Sequence, residues 1–177
     1  MLTKQQKQPR TLAIAASIVF AALVFVATYM FVISIPATSG YFNLGETIIY
    51  IAALTFGPLT GGLAGGVGAM SADAILGYAQ FAPGTLIIKG VEGAVVGVLH
   101  QRLRKRLNHS LSAAIAIGVG GLEMVLGYFV YEQAVLGYPF AAALAEVPFN
   151  LVQMSAGLVI AVPVVAAVRR VFPQIKI

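Results

Sequence analysis

The stretch from Leu44 to Gly77 reads LGETIIYIAALTFGPLTGGLAGGVGAMSADAILG, and the number of helices within it decides the fold. It is apolar over nearly its whole length and is interrupted at Gly57-Pro58. Proline lacks a backbone N–H and disfavours helix at the residue before it, so we expect a helix break there. One tilted helix and two short helices both agree with the hydropathy, and they differ by one membrane crossing.

The composition of the whole chain indicates a membrane protein. Of its 177 residues, 59% are hydrophobic and only 10% are charged, and the mean hydropathy is +0.92. Soluble domains carry about 25% charged residues, so the 11 basic and six acidic side chains cannot cover a soluble surface. The sequence therefore predicts an integral membrane protein and excludes a soluble enzyme, a disordered chain and a disulfide-stapled secreted domain.

The basic residues lie in clusters separated by long apolar stretches. Ten of the eleven Lys and Arg residues belong to three clusters: Lys4, Lys7 and Arg10; Arg102, Arg104, Lys105 and Arg106; Arg169, Arg170 and Lys176. This spacing is typical of the positive-inside rule and needs no nucleic acid to explain the net charge of +5. Two crossings within 44–77 place all three clusters on one side of the membrane, whereas one crossing separates them. The sequence therefore favours two short helices that are separated by a break at Gly57-Pro58.

A single all-α domain of six transmembrane helices follows from this topology. The predicted spans are about 11–33, 44–57, 58–77, 84–101, 111–131 and 148–168. Both termini, the turn at 57–58 and the loop at 102–109 are then cytoplasmic. The predicted outer loops, at 34–43, 78–83 and 132–147, hold no Lys or Arg and several Tyr and Phe.

Ionisable residues outside the basic clusters concentrate in the outer half of this bundle. Glu46, Asp73, Lys89 and Glu92 lie in the outer halves of their spans, Glu132 and Glu146 are assigned to an outer loop, and Glu123 comes nearest the middle. Intramembrane charges usually pair or face a cavity. A polar, aromatic-rimmed outer half above an apolar inner half predicts a pocket open to the outside.

Four of these residues also have an interpretation without a ligand. Lys89 and Glu92 are three residues apart on one helix and can neutralise each other, although the glycine after each favours close packing around a ligand. Asp73 is expected to cap a helix or to pair with Lys89. Glu46 is favourable in a first helical turn on dipole grounds alone.

Small residues recur every four positions on three predicted helices. Such stripes let two backbones approach closely, and they comprise Ala13, Ser17 and Ala21; Gly61, Gly65 and Ala69; and Gly93 with Gly97. Internal packing is the favoured interpretation for the last two. For the first stripe, which lies near the cytoplasmic end, two interpretations stay open: internal packing and docking of another membrane protein.

No catalytic, metal or cofactor site is predicted. His100 and His109 flank the basic loop and are expected to be solvated, and no GxxxxGK[ST] phosphate-binding loop occurs. Hydrolysis of ATP by this chain is therefore not expected.

Four segments resemble the substrate-binding S component of energy-coupling factor (ECF) vitamin transporters. They are GYFNLGE at 40–46, FGP at 56–58 with Gly61-Gly62, Asp73, and FAPGTLIIKGVEG at 81–93. The chain looks most like the riboflavin-type branch, which is associated with riboflavin, pyridoxine or hydroxymethylpyrimidine-like compounds. The motifs cover roughly 40–97, the length and six-helix plan cover the whole chain, and 111–177 matches only in hydropathy.

The resemblance implies a mechanism. An S component in a prokaryotic plasma membrane captures a vitamin from outside with high affinity, docks on a membrane coupling subunit driven by two ATPases, and topples to deliver its load. Docking in the family uses an AxxxA face of the first helix, which reads Ala13, Ser17 and Ala21 here, with serine for the middle alanine. The implied ligand-binding residues are Tyr41, Asn43, Glu46, Lys89, Glu92, Glu123, Tyr128, Asn150 and Gln153.

The residue types agree with a small heteroaromatic ligand, because aromatic faces with a few amide and charged groups suit such a ring. Two other functions remain open. A proton-coupled secondary transporter would use Asp73, Glu92 and Glu123 as a relay, but the inner half offers no obvious polar steps. A structural membrane subunit would use its buried charges only to hold helices together.

Overall fold

The computed structural model describes residues 10–35 and 40–171. Its elements are α1 (Arg10–Met30), β1 (Ile33–Ile35), β2 (Gly40–Phe42), α2 (Gly45–Phe56), α3 (Pro58–Leu76), α4 (Ala82–Leu103), α5 (His109–Ala134) and α6 (Phe140–Val171). The predicted all-α architecture with six helices is confirmed. Three members of the basic clusters, Lys4, Lys7 and Lys176, lie outside the described residues.

Five of the helices are long and apolar enough to cross a membrane: α1, α3, α4, α5 and α6. The sixth, α2, has 12 residues and extends about 18 Å at 1.5 Å per residue, less than the ~30 Å of a hydrocarbon core. Large apolar side chains remain exposed on all five long helices. This surface suits lipid, and the chain is a multi-pass membrane protein.

The break between α2 and α3 falls at Gly57-Pro58. Gly57 has φ +89°, a conformation that side chains with a Cβ rarely adopt. Pro58 is the first residue of α3, where the missing N–H would have no helical partner in any case. The two residues therefore end one helix and begin the next, and the chain reverses direction between them.

The first predicted span, 11–33, is wrong at its end. Helix α1 stops at Met30, and β1 pairs antiparallel with β2, with Ile33 opposite Phe42 and Ile35 opposite Gly40. Apolar residues of a short strand read like helix in a hydropathy profile, so length and composition could not separate the two. The resulting hairpin brings Gly40 and Tyr41 towards the helix bundle.

The predicted outer loop at 132–147 is mostly helical. Helix α5 continues to Ala134, and α6 begins at Phe140 rather than at 148. Residues 141–146 read AAALAE, which is rich in strong helix formers. Pro148 and Pro163 lie inside α6, as prolines do in membrane helices where neighbouring groups satisfy the freed carbonyls.

Glycines bring α3 and α4 into backbone contact. A Cβ at Gly93 would overlap the backbone of Gly61, and one at Gly97 would lie 2.5 Å from the nitrogen of Pro58. A Cβ at Gly65 would lie 2.5 Å from the carbonyl oxygen of Lys89. These stripes serve internal packing, as favoured from the sequence.

The stripe on α1 faces α3. The Ser17 hydroxyl donates to the Ala13 carbonyl at 2.8 Å and lies buried 3.5 Å from the Thr60 hydroxyl. A Cβ at Gly68 would lie 2.5 Å from the carbonyl oxygen of Ala21. Ala13 and Ala21 are half-buried, so part of each remains accessible beside α3.

The bundle has two chemically different ends. The acidic end comprises the β1–β2 hairpin, the start of α2 and the α3–α4 and α5–α6 junctions. The basic end comprises the start of α1, the α2–α3 turn, the loop at 104–108 and the end of α6. All six acidic residues lie between mid-bundle and the acidic end.

Candidate functional site

A cavity opens at the acidic end, and with the open solvent at its mouth it holds about 410 Å³ of empty space. The β1–β2 hairpin and helices α3 to α6 all contribute to its wall. The lining residues are Gly40, Tyr41, Asn43, Ala69, Asp73, Phe81, Thr85, Lys89, Tyr128, Glu146, Asn150 and Gln153. Aromatic, amide and carboxylate groups therefore surround one space.

Lys89 lies at the centre of a buried charge cluster. Its ammonium group forms ion pairs with Glu46 and, at 3.4 Å, with Glu92. The Gln153 amide donates to Glu46 at 2.9 Å, and the Tyr50 hydroxyl donates to Glu92 at 2.8 Å. The i, i+3 pair predicted from the sequence is present, but Glu46 is the nearer partner. Two carboxylates share one lysine, so no free positive charge faces the cavity.

Asp73 provides an acidic group on the cavity wall. The Tyr41 hydroxyl donates to Asp73 Oδ1 at 2.5 Å, and neither ion pair of Lys89 involves Asp73. Burial, together with the neighbouring Asp73 carboxylate, raises the pKa of Tyr41, which keeps the phenol protonated as a donor. Oδ2 of Asp73 is buried and has no hydrogen-bond partner among the described residues, which leaves an acceptor for a ligand.

Asn43 ties the hairpin to two helices. Its backbone N–H donates to the Gln153 side-chain oxygen at 2.9 Å, and its own side-chain oxygen accepts from the Gly45 N–H at 2.9 Å. The second bond satisfies a free N–H at the start of α2. Because Gln153 also donates to Glu46, one amide joins the hairpin, α6 and the charge cluster.

An aromatic wall completes the cavity. The hydroxyls of Tyr128 and Thr85 are hydrogen-bonded at 2.9 Å, and the Lys89 ammonium lies 5.6 Å from the centre of the Tyr128 ring. Phe81 is buried at the start of α4. Ring faces of this kind accept a flat ligand by stacking.

Six of the nine predicted ligand-binding residues line this cavity: Tyr41, Asn43, Lys89, Tyr128, Asn150 and Gln153. Glu46 and Glu92 are not on the wall and act on it through Lys89. Glu123 is not on the wall either.

Several residues that line the cavity were not among the predicted ligand-binding residues, above all Asp73, Thr85 and Glu146. For Asp73 and Thr85, a spacing of four residues along the helix would have indicated a position on the cavity wall. Asp73 continues the stripe that ends at Ala69, and Thr85 lies one turn from Lys89 on the same face. Glu146 was assigned to a loop, whereas the structure buries it in α6, just as it buries Glu132 in α5.

The predicted solvation of the histidines is wrong. His100 is fully buried near the end of α4, with Nδ1 3.0 Å from the Ser112 hydroxyl. The ring of His109 packs edge-on against it, with centroids 4.8 Å apart. Helix α5 begins at His109, and this brings both rings into the interior of the basic end.

Comparisons with known proteins agree with this architecture. Residues 8–170 match the family described as ECF-type riboflavin transporter, S component. An uncharacterized protein from the gap 3′ region of Pyrococcus woesei is 40% identical over 137 residues, which cover 77% of this chain and 88% of that protein. The thiamine precursor transporter HmpT of Lactococcus lactis subsp. cremoris (strain MG1363) is 31% identical over 144 residues, 81% of this chain and 79% of that protein.

A solved structure shares the fold. The crystal structure of the S-component for biotin from an ECF-type ABC transporter aligns with a TM-score of 0.67 over 98% of this chain and 95% of that chain, at 18% identity. The resemblance inferred from the motifs in 40–97 is thereby confirmed, and it extends over the second half of the chain. The chain belongs to the S-component family of ECF-type transporters.

Proposed function

We propose that this chain is the high-affinity substrate-binding subunit of an ECF-type importer, and that it captures a small heteroaromatic vitamin or vitamin precursor. The observation that carries the proposal is the cavity at the acidic end, whose wall combines tyrosine and phenylalanine rings with amide and carboxylate groups. Riboflavin, named in the family description, and the thiamine precursor, named for HmpT, support a ligand of this kind.

The charge distribution supports an outward-facing cavity. Arg102, Arg104, Lys105, Arg106, Arg169 and Arg170 all lie at the basic end, and α1 begins there at Arg10. Basic segments stay preferentially in the cytoplasm. The acidic end then faces outward in a prokaryotic plasma membrane, with both termini inside.

The charges of the cavity favour a neutral or protonated ligand over an anionic one. Lys89 is already paired with two carboxylates, and Asp73 adds a third with an unpartnered oxygen. A ring edge with N–H donors can satisfy that oxygen. A phosphorylated ligand would bring negative charge towards these groups without a free cation to receive it.

Equilibrium titration of the purified protein in detergent tests this function. We expect tight binding of riboflavin, pyridoxine or hydroxymethylpyrimidine, and much weaker binding of the phosphorylated form of whichever compound binds. Asp73→Asn should weaken binding about tenfold, since a charged hydrogen bond contributes about 1.5–3 kcal/mol. Glu123→Gln is the matched control, because Glu123 lies off the cavity wall. Absence of binding by every compound in the panel would contradict the proposal.

Delivery requires partners in this proposal: a membrane coupling subunit and two ATPases. The chain carries no phosphate-binding loop, and the partly exposed Ala13 and Ala21, beside Ser17, are the proposed contact. Ala13→Leu or Ala21→Leu should prevent co-purification with the coupling subunit and leave ligand binding unchanged. Ile18→Leu, on an exposed face of α1, is the control. Uptake by this chain alone, abolished by a protonophore, would instead support a secondary transporter.

A further inference from the structure

Four basic side chains converge inside the basic end. His100 comes from α4, Arg104 from the loop after it, His109 from the start of α5 and Arg169 from the last turns of α6. All four are at least partly buried. The neighbouring basic residues of the same segments are exposed: Arg102, Lys105, Arg106 and Arg170. The end therefore carries an inner group of basic side chains, two arginines and two histidines, and an outer group of exposed ones.

Hydrogen bonds hold Arg169 through uncharged acceptors. Its Nη2 lies 3.5 Å from the Leu54 carbonyl oxygen and 3.5 Å from His100 Nε2. The Ser112 hydroxyl donates to the His109 carbonyl at 2.9 Å, so it can only accept from His100 Nδ1, which lies 3.0 Å away. His100 is then neutral with its proton on Nδ1, and Nε2 accepts from the guanidinium.

No carboxylate of residues 10–35 and 40–171 balances this group. Both ion pairs recorded there belong to Lys89. Arg169 Nε and both ring nitrogens of His109 are buried without a hydrogen-bond partner among the described residues. Arg104 is close enough to Arg169 for the two guanidinium groups to repel each other. Burial also lowers the pKa of Arg104.

Partly buried guanidinium groups without a counter-charge are unfavourable, because desolvation is not offset by a partner. Phosphate complements them well, since its oxygens accept paired hydrogen bonds from the planar guanidinium. Such an oxyanion can also accept from a ring N–H of His109. The ends of α4 and α6 are also the ends of two candidate membrane spans, and lipid headgroups at the end of a span bring phosphate within reach.

We propose that Arg104, His109 and Arg169 form a phosphate-binding site at the basic end, with His100 holding Arg169 in position. The phosphate comes from the headgroup of an anionic lipid or from the free ion. The site is independent of the vitamin-binding function.

Native mass spectrometry of the full chain in detergent measures the affinity for phosphatidylglycerol. Arg169→Gln and Arg104→Gln should each weaken binding about tenfold, as expected for loss of a charged hydrogen bond. Arg170→Gln and Arg106→Gln remove the same charge from exposed neighbours and should change the affinity less than twofold, given how weak exposed ionic contacts are. If the two exposed arginines weaken binding as much as the two inner ones, the attraction is diffuse and the site is refuted.

Thermal unfolding followed by circular dichroism separates the two sources. Phosphatidylglycerol and phosphatidylcholine with the same acyl chains are compared, and inorganic phosphate is compared with chloride at equal ionic strength. Stabilisation by phosphatidylglycerol alone supports a lipid headgroup, and equal stabilisation by inorganic phosphate supports the free ion. No stabilisation by either refutes the site. If Arg169→Gln does not fold, Arg169→Lys replaces it and should weaken phosphatidylglycerol binding about threefold, since lysine keeps the charge but not the planar fork, with Arg170→Lys as its control.

Discussion

At the acidic end Lys89 lies between two carboxylates, whereas at the basic end Arg169 lies against a neutral imidazole and a backbone carbonyl. The first cluster carries its own counter-charges and needs no ligand to balance Lys89. The second has none among the described residues. We infer from this difference that buried charge in this bundle has two arrangements: internal charge pairing surrounds the proposed cavity for a neutral ligand, and unbalanced charge surrounds the proposed phosphate site.

The two ends are connected by the backbone contact of α3 and α4. Gly65 approaches the Lys89 carbonyl near the charge cluster, and Gly97 approaches Pro58 beside the basic end. A contact of this kind transmits displacement, because close-packed backbones have no flexible side chain that can absorb it. We infer that the close packing of α3 against α4 couples the cavity to the basic end.

Removing the cation of the acidic end should have the largest effect. Lys89→Met leaves Glu46 and Glu92 buried beside each other without a counter-charge, and we expect a loss of about 3–5 kcal/mol in unfolding free energy. Thermal unfolding in detergent measures it. Lys105→Met, at an exposed position of the basic end, should change the midpoint little.

A double variant shows whether charge causes the loss. Adding Glu46→Gln to Lys89→Met removes one of the two stranded carboxylates and should restore part of the stability. If the double variant is no more stable than Lys89→Met, packing rather than charge balance explains the effect. The contrast between the two ends would then not rest on counter-charges.

The connection between the ends should give the next largest effect. Gly93→Ala adds a methyl group that overlaps the backbone of Gly61, and overpacking of this kind costs about 1–3 kcal/mol. Gly118→Ala is the control, because a Cβ there meets nothing within 4 Å, and alanine gains about 1 kcal/mol of helix propensity. The two variants should therefore shift the unfolding midpoint in opposite directions, and a stable Gly93→Ala would contradict the rigid contact.

The sequence predicted the parts of this structure that depend on local pattern. Apolar runs, the Gly57-Pro58 break and the placement of the basic clusters together predicted six helices, and the i, i+3 spacing predicted the contact of Lys89 with Glu92. Glu46 and Lys89 are 43 positions apart in the sequence and lie on different helices. No periodicity reports such a contact, because it depends on how α2 and α4 are placed side by side.

The misplaced residues share a physical cause. The expected loop positions of His100 and His109 followed from their proximity to arginines, but helices α4 and α5 extend to include both and turn the rings inward. The hairpin was missed because strands of three residues show no periodicity: Ile33 was assigned to the end of the first span and 34–43 to a loop. Asp73 was recognised as unusual from the sequence. Its partner, Tyr41, could not be predicted, because the contact depends on where the hairpin lies relative to α3.

The smallest expected effect concerns that partner and sharpens the description of the cavity. Tyr41→Phe removes the donor to Asp73 Oδ1 and leaves the ring that packs against Tyr78, with centroids 4.6 Å apart. Loss of this internal hydrogen bond should lower the unfolding free energy by about 1 kcal/mol. Because Asp73 is then held less well, ligand titration should also show a decrease in affinity, whereas Tyr29→Phe, exposed on α1, should show neither change. Unchanged affinity in Tyr41→Phe would mean that Asp73 is positioned by the helix alone, since the phenol would then contribute nothing to the orientation of its free oxygen.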